Sequence, residues 1–254
     1  MLRIEDIDPP REMPGAADLI LGALQTHGLH WDGDVLWQSE QSQRYQRAID
    51  KLLTTDSAFR CDCSRSDIAR MGGIYNGRCR HRALPVNSDS AVRLNVADLS
   101  VVTVEDSVQP PLTIDLAADI GDFVIRRRDG LFAYQLAVVV DDAWQGITHV
   151  LRGQDLYEST PRQIALQRRL KLPTPHYAHI PVLENSAGQK LSKQTHAPAL
   201  DASRAEYNLR QALRLLGQPL PDSHGIDSLL HWAVQHWAIE AVPHVAGIPA
   251  PALD

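Results

Sequence analysis

Long apolar runs are missing from this sequence, and none approaches the roughly eighteen residues that suggest a membrane-spanning helix. Its first residues, MLRIEDIDPP, are acidic, whereas a secretory signal peptide begins basic and continues apolar. Hydrophobic residues make up 44% and charged residues 22%, the balance of a globular protein with a buried core. We therefore expect a cytoplasmic protein with no membrane partner.

Cysteine is scarce: the chain has three, Cys61, Cys63 and Cys79. An odd number in so short a stretch argues against a disulfide framework and for a bound metal or free thiols. Three thiolates and one further ligand would complete a tetrahedral zinc site. From the spacing, His81 is the expected fourth ligand and Tyr75 an unusual one. Three incidental thiols are the alternative.

Positive charge is in deficit, because the formal net charge is −6, so the surface as a whole does not attract a polyanion. Arginines nevertheless cluster around the cysteines. The cluster comprises Arg60, Arg65, Arg70, Arg78, Arg80 and Arg82. These arginines could meet nucleic-acid phosphates, but the solvated surface of a zinc module would have the same composition.

The stretch LRIEDI alternates apolar and polar side chains and then meets Pro9, which predicts a short strand running into a turn. Glu5 stands at the carboxyl end of this strand, the edge at which open α/β sheets bind ligands. A carboxylate there can hold an ammonium group. An acid in a solvated loop or in a first helical turn is the alternative.

Apolar residues at helical spacing predict helices over 16–27, 42–53, 202–216 and 226–239. A further helix is expected to begin at Thr160, with Thr160 and Gln163 forming a capping box. The buried face of the last helix is expected to contain Leu230, Ala233, Val234 and Trp237. Two or three strands are expected over 91–113, and the second half of the apolar run 131–140 fits a strand or a helix.

The stretch HIPVLENSAGQKLSKQ, residues 179–194, combines a short apolar strand, a turn at Asn185 to Gly188, and two lysines. Lys190 and Lys193 flank a small hydroxyl residue. Ammonium groups spaced in this way suit a mobile loop that closes on a polyphosphate. A solvated basic turn is the alternative.

Five separated motifs then agree in order: LRIEDIDPPRE, the Cys-x-Cys module, FAYQLAVVVDD, HVLRGQDL and KLSKQ. This order resembles the class I glutamyl-tRNA synthetases, which carry a KMSKS-type loop, and more closely their short paralogues, the glutamyl-Q tRNA(Asp) synthetases. The resemblance runs from Leu2 to about Ala199. The paralogues are favoured by IEDIDPPRE, by HAPA after KLSKQ, and by a C-terminal stretch of about sixty residues, too short for an anticodon-binding domain.

The resemblance implies that L-glutamate is activated with ATP and Mg²⁺ to the adenylate, without tRNA, and is then transferred to the queuosine base of tRNA(Asp). It implies that Glu5 holds the α-ammonium group. Tyr134 and Arg152 would complete the glutamate pocket, with the guanidinium on the side-chain carboxylate. Lys193 would lie on the ATP phosphates, and Lys190 would assist it.

The resemblance also implies a zinc ligand set. The family's ligands correspond to Cys61, Cys63, Tyr75 and Cys79, so the resemblance prefers Tyr75 where the spacing preferred His81. A closed four-ligand site of this kind would be structural. The protein is expected to act as a monomer.

The implied fold is α/β: a class I, Rossmann-like nucleotide-binding domain with an inserted zinc-binding, acceptor-type subdomain and a short helical C-terminus. The expected boundaries are 1–56 for the first part of the catalytic domain, 57–130 for the insert, 131–200 for the remainder with the KLSKQ loop, and 201–254 for the helical segment. In the family, a strand, a HIGH-type motif and a helix precede the IEDID strand. Because this chain begins directly before that strand, we expect a longer natural protein, and we expect the 254-residue form to be poorly active with an unpaired sheet edge.

Two other functions agree with parts of this pattern. One is transfer of activated glutamate to another acceptor, such as the 3′ end of a tRNA. The other is a non-catalytic, zinc-containing tRNA-binding protein. Glu5, Tyr134, Arg152 and the KLSKQ loop favour an enzyme, because a protein that only binds tRNA has no use for a glutamate pocket.

Overall fold

The computed structural model describes residues 1–85, 89–99, 101–192 and 197–251. Within these ranges the helices are α1 (Ala16–Thr26), α2 (Ser42–Thr54), α3 (Arg65–Arg70), α4 (Tyr134–Gln145), α5 (Thr160–Leu170), α6 (Ala205–Leu215) and α7 (Ile226–His236). The strands are β1 (Leu2–Ile4), β2 (Val35–Trp37), β3 (Ala58–Cys61), β4 (Ala91–Leu94), β5 (Val102–Val104), β6 (Leu112–Ile114), β7 (Val124–Arg126), β8 (His149–Gly153), β9 (His176–Ile180), β10 (Val182–Glu184) and β11 (Gly247–Pro249). None of the described helices has the length and apolar character needed to cross a bilayer.

Two β-α-β units position the ends of the parallel strands. β1 pairs with β2 across α1, and β8 pairs with β9 across α5, so that Arg152 lies opposite His179. In the described part of the chain no ladder joins β1 to β8, and each keeps an open edge. Side chains at the carboxyl ends of such strands are placed where α/β sheets bind ligands.

An antiparallel sheet follows α2 in the chain, with strand order β3, β4, β7. A separate antiparallel pair, β5 and β6, brings Val102 opposite Ile114. The three strands β4, β5 and β6 confirm the strand prediction for residues 91–113. Inward-facing valines of β4 and β5 join the main core, because alternation buries one face of each strand.

The apolar run 131–140, which fitted a strand or a helix, becomes α4 from Tyr134 onward. Leu136 to Val140 are all buried, because α2 and α5 pack against this helix. Burial on several faces removes the amphipathic period that would have identified the helix in the sequence. Gly146, with φ of 70°, ends it in the left-handed conformation that glycine adopts without strain.

Two local predictions were wrong. Thr160 and Gln163 form no capping box, and the residue before α5, Ser159, makes no side-chain cap either. On α7, Leu229 is the buried residue, whereas Val234 is 81% exposed and Trp237 is also exposed. The helix packs against α6, and periodicity alone does not identify the partner that decides which side of a helix is buried.

Asp141 on α4 is fully buried and connects two helices. Its carboxylate accepts hydrogen bonds from Gln38 Nε2 at 2.9 Å, Arg44 Nη1 at 2.8 Å and the Tyr45 hydroxyl at 2.6 Å. Three donors on α2 and the turn before it are therefore satisfied by one side chain from α4. Burial, followed by the bond to Asp141, raises the pKa of Tyr45, so its hydroxyl stays a donor.

We expect Asp141→Ala to lower the free energy of unfolding by about 3–5 kcal/mol, because it leaves a half-buried arginine and two buried polar groups without their acceptor. Urea denaturation would measure the loss. Asp50→Ala is the matched control: this carboxylate is exposed on α2 and bonds only Gln46 in the described structure, so the expected change is within about 0.5 kcal/mol. Equal losses in the two variants would contradict the role of Asp141.

Candidate active site

A cavity of about 450 Å³ lies between β1 and β8. Glu5, Tyr134 and Arg152 all line it. Glu5 follows the last residue of β1, Tyr134 begins α4, and Arg152 lies near the end of β8. The fold therefore gathers the three residues expected to bind glutamate, which come from separate parts of the chain.

Arg152 is held by a set of protein acceptors. Its Nε donates to His179 Nε2 at 2.9 Å, and its Nη2 donates to Thr160 Oγ1 and Gln163 Oε1, each at 2.8 Å. A guanidinium has five N–H groups, and these bonds use the three on Nε and Nη2. The two N–H groups on Nη1 are thus the ones left for Tyr134, whose hydroxyl contacts this guanidinium, and for a ligand in the cavity.

Two further charged residues in the cavity were missed by the sequence analysis. Arg3 Nη1 donates to Asp142 Oδ1 at 2.8 Å and to Gln145 Oε1 at 2.6 Å, and Arg3 Nη2 also bonds Glu5 at 3.1 Å. Arg3 could have been found, because residues i and i+2 of a strand share a face and Glu5 was already identified. Asp142 could not have been found from the sequence, because the packing of α4 decides where its side chain points.

Burial shapes the ionisation of this cavity. Burial raises the pKa of Asp142 despite the opposing charge of Arg3, and it raises the pKa of Tyr134, with the Glu5 charge adding to the effect. Tyr134 is consequently a neutral hydroxyl at physiological pH, able to donate a hydrogen bond to a carboxylate. The walls thus offer carboxylates for a cation, and a guanidinium and a hydroxyl for an anion.

The lysine loop begins as the sequence predicted. The predicted strand is interrupted at Pro181, and after β10 the Asn185 side chain accepts the backbone N–H groups of Ala187 and Gln189, which confirms the turn. Lys190 forms an ion pair with Asp155, which follows β8. Lys193 lies outside the described residues.

The three cysteines form a cluster, with all three sulfurs within 4.8 Å of one another. The Cys63 and Cys79 sulfurs are 3.6 Å apart. Two sulfurs that each lie about 2.3 Å from a tetrahedral zinc would be about 3.8 Å apart, so this spacing fits the ion. Arg93 Nε donates to the Cys61 sulfur at 3.3 Å, an arrangement that favours a thiolate.

Tyr75 and His81 differ in their position relative to this cluster. The Tyr75 hydroxyl accepts the backbone N–H of Cys79 at 2.7 Å and also bonds Cys61, whereas His81 is exposed. Burial opposes ionisation of Cys61, but its bonds from Tyr75, the Cys63 backbone and Arg93 outweigh it and lower the pKa. Burial and the neighbouring sulfurs raise the pKa of Cys63 to about 12. A divalent cation among the sulfurs would relieve that cost, because it favours thiolates.

Most of the arginine cluster is neutralised by neighbouring carboxylates. Arg80 makes two bonds to Asp122, at 2.7 and 3.0 Å, and Arg82 makes two to Asp62, at 2.7 and 2.9 Å. Arg70 and Arg78 both pair with Asp67. These arginines stabilise the cysteine module, so their number overstates the positive charge available to a nucleic acid.

The chain matches a family model described as tRNA synthetases class I (E and Q), catalytic domain, over residues 1–218. It is 49% identical to the glutamyl-Q tRNA(Asp) synthetase of Neisseria meningitidis serogroup C, over 98% of this chain and 88% of that protein. It is also 49% identical to the protein of the same name from Serratia proteamaculans, over 96% of this chain and 80% of the relative.

Solved structures give the same fold. The chain superposes with a TM-score of 0.78 on a glutamate tRNA ligase from Elizabethkingia meningosepticum in complex with its amino acid, at 20% identity, covering 98% of this chain and 59% of that one. A glutamate-tRNA synthetase from Elizabethkingia anophelis gives a TM-score of 0.79 and is covered over 61% of its length. The α/β fold predicted from the sequence is thereby confirmed as a class I synthetase catalytic domain. The chain belongs to the class I tRNA synthetases and, among them, to the glutamyl-Q tRNA(Asp) synthetase family.

Proposed function

We propose that this protein activates L-glutamate with ATP and transfers it to the queuosine base of tRNA(Asp). The observation that carries the proposal is the convergence of Glu5, Tyr134 and Arg152 on one cavity at the carboxyl ends of β1 and β8. Glutamate has two carboxylates and one ammonium group, and the cavity walls carry groups of the complementary kinds. Membership of the family supplies the reaction.

In the proposed pocket, Arg152 and Tyr134 bind the side-chain carboxylate of glutamate. The Nη1 N–H groups and the neutral Tyr134 hydroxyl are donors, and both suit a carboxylate. Glu5 takes the α-ammonium group, sharing its charge with Arg3, with which it forms an ion pair. This arrangement leaves the α-carboxylate of the substrate free to react.

Activation is an in-line attack of that α-carboxylate on the α-phosphorus of ATP, in which a C–O–P linkage forms and pyrophosphate leaves. The protein needs to align two anions and neutralise the charge that develops between them, so no side-chain nucleophile is required. Lys193 would neutralise the phosphates and Lys190 would assist after leaving Asp155, while Mg²⁺ is carried by ATP. In the second step a nucleophilic group of the queuosine base attacks the glutamyl carbonyl, and AMP leaves.

Zinc is the proposed structural metal, held by Cys61, Cys63 and Cys79 with Tyr75 as the fourth ligand. The sulfur spacing and the position of the Tyr75 hydroxyl support this set. We further propose a cytoplasmic monomer and the four-part division at residues 56, 130 and 200 expected from the sequence.

The function is tested first by L-glutamate-dependent ATP–pyrophosphate exchange without tRNA. Exchange that depends on L-glutamate is the expected result. Exchange that also occurs with L-glutamine or L-aspartate at the same rate would contradict a glutamate pocket.

The acceptor is tested by incubating labelled L-glutamate and ATP with tRNA(Asp) that carries or lacks queuosine, followed by nuclease digestion. We expect label only in the queuosine-containing tRNA, and in the anticodon fragment. Label at the 3′ end would indicate ordinary aminoacylation. Absence of exchange combined with tRNA binding would indicate a non-catalytic protein.

A further inference from the structure

His179 on β9 connects a buried carboxylate to the proposed substrate-binding arginine. The imidazole is fully buried, with Nδ1 2.6 Å from Asp106 Oδ2 and Nε2 2.9 Å from Arg152 Nε. The rings of Tyr157 and Tyr177 flank it, with centroids at 4.9 and 6.0 Å. These rings restrict rotation of the imidazole, so its two nitrogens keep their partners.

The hydrogen-bond pattern assigns the tautomer of His179. Arginine Nε always carries a proton, so His179 Nε2 must accept, and the imidazole proton must then be on Nδ1, where it is donated to Asp106. Asp106 is itself oriented, since its Oδ1 accepts the backbone N–H groups of Val108, Gln109 and His179. Burial, against the opposing bond to Asp106, lowers the pKa of His179, in agreement with a neutral ring.

We propose that Asp106 and His179 form a positioning pair that holds the Arg152 guanidinium for the side-chain carboxylate of glutamate. The inference rests on the proposed function, because the ligand of Arg152 is taken from it. Thr160 and Gln163 fix Nη2, and His179 fixes Nε, so that three acceptors define the plane of the guanidinium and direct Nη1 away from them. Asp106 and His179 touch neither ATP nor glutamate in this arrangement.

Asp106→Asn tests the tautomer. An asparagine oxygen can still accept the backbone N–H groups, but its NH₂ group faces His179 Nδ1 and favours the proton on Nε2, directly against Arg152 Nε–H. A carboxylate-to-amide change that forces the wrong histidine tautomer is known to disable a catalytic triad while leaving its geometry intact. We expect the KM and Kd for L-glutamate to rise about 10- to 100-fold, the value of a hydrogen bond to a charged group, with kcat little changed.

Two substitutions of His179 separate positioning from structure. His179→Gln places an acceptor near the former Nε2 and can still bind Arg152, whereas His179→Asn places a donor near the former Nδ1 and can bind only Asp106. We expect His179→Asn to weaken glutamate binding about 10- to 100-fold and His179→Gln to restore it to within about threefold of the parent. A merely structural histidine would give two variants with the same loss of thermal stability and the same Kd.

The measurements are the Kd for L-glutamate by calorimetry, the exchange kinetics, and the imidazole ¹⁵N shifts of His179, which report the tautomer. Calorimetry does not require turnover, so it measures glutamate binding independently of the exchange reaction. If the parent protein binds glutamate and the Asp106→Asn variant binds it with the same Kd, the positioning pair is contradicted and the proposed function is not. Equal losses in His179→Asn and His179→Gln would also overturn it. A parent with neither glutamate binding nor exchange would overturn the proposed function and this inference together.

Discussion

Arg152→Lys is expected to raise the KM for L-glutamate in ATP–pyrophosphate exchange by about 100-fold or more. Lysine keeps the charge but has no planar fork, so it cannot bond His179, Thr160 and Gln163 and still present an N–H group to a carboxylate. Each charge-assisted hydrogen bond contributes about 1.5–3 kcal/mol, and at least one to the substrate is lost. The KM for ATP is expected to change much less, because ATP is bound by other groups.

The matched control is Arg168→Lys, an exposed position in the last turn of the neighbouring helix α5. It changes the same residue type outside the cavity, and we expect the KM values of the parent. Thermal unfolding of both variants would show whether Arg152→Lys still folds. If the Arg152→Lys variant folds and its KM for L-glutamate is unchanged, Arg152 does not bind the substrate.

The second large effect is expected at the cysteine cluster. Purified protein should contain about one zinc ion per chain, and Cys79→Ser should lose it, since three ligand sulfurs within 4.8 Å of one another leave no spare donor of the same kind. Metal binding to a structural site is coupled to folding of the residues around it, so chelation should lower the melting temperature and make all three thiols reactive. Elemental analysis and thiol titration would measure these changes.

Tyr75→Phe and His81→Ala form a matched pair for the fourth ligand. The Tyr75 hydroxyl lies among the sulfurs, and removing it should weaken zinc binding about 10-fold or more, comparable with the loss of a supporting group at other metal sites. His81 is exposed, and its loss should leave the affinity unchanged. If His81→Ala weakens zinc binding and Tyr75→Phe does not, the fourth ligand is His81, as the sequence spacing indicated. A metal-free protein with three freely titrating thiols would mean that the cluster holds no zinc.

Much of the candidate site could be predicted because it depends on residues close together in the chain. Glu5 was placed at a strand end by the alternation of LRIEDI, and the turn before Lys190 follows from Asn185 bonding its own backbone two and four residues on. The cysteine module required only three thiols close together in the chain. Family motifs then connected these features to a reaction.

The capping-box prediction at α5 failed because a tertiary contact replaced a local hydrogen bond. Thr160 and Gln163 have the types and spacing of a capping box, yet Thr160 Oγ1 and Gln163 Oε1 accept from Arg152 instead. The charged guanidinium is a stronger donor than a backbone amide, and β8 brings it within reach. Tertiary packing also explains why the sequence analysis did not identify His179 and Asp106. They are separated by 73 positions in the chain and meet only when β9 packs beside the turn after β5.

By itself the sequence determined the first strand, the four helices predicted from apolar spacing, the close spacing of three cysteines and the turn before Lys190, because periodicity and turn chemistry depend on neighbouring positions. Tertiary structure decided the orientation of Arg152, the pairing of Arg3 with Asp142, the arginine pairs around the cysteines and the helical state of α4. Those features depend on which side chains packing brings within about 3 Å, the range of a hydrogen bond. Residues far apart in the chain come within this distance only in the folded protein, and local sequence patterns do not predict which of them will do so.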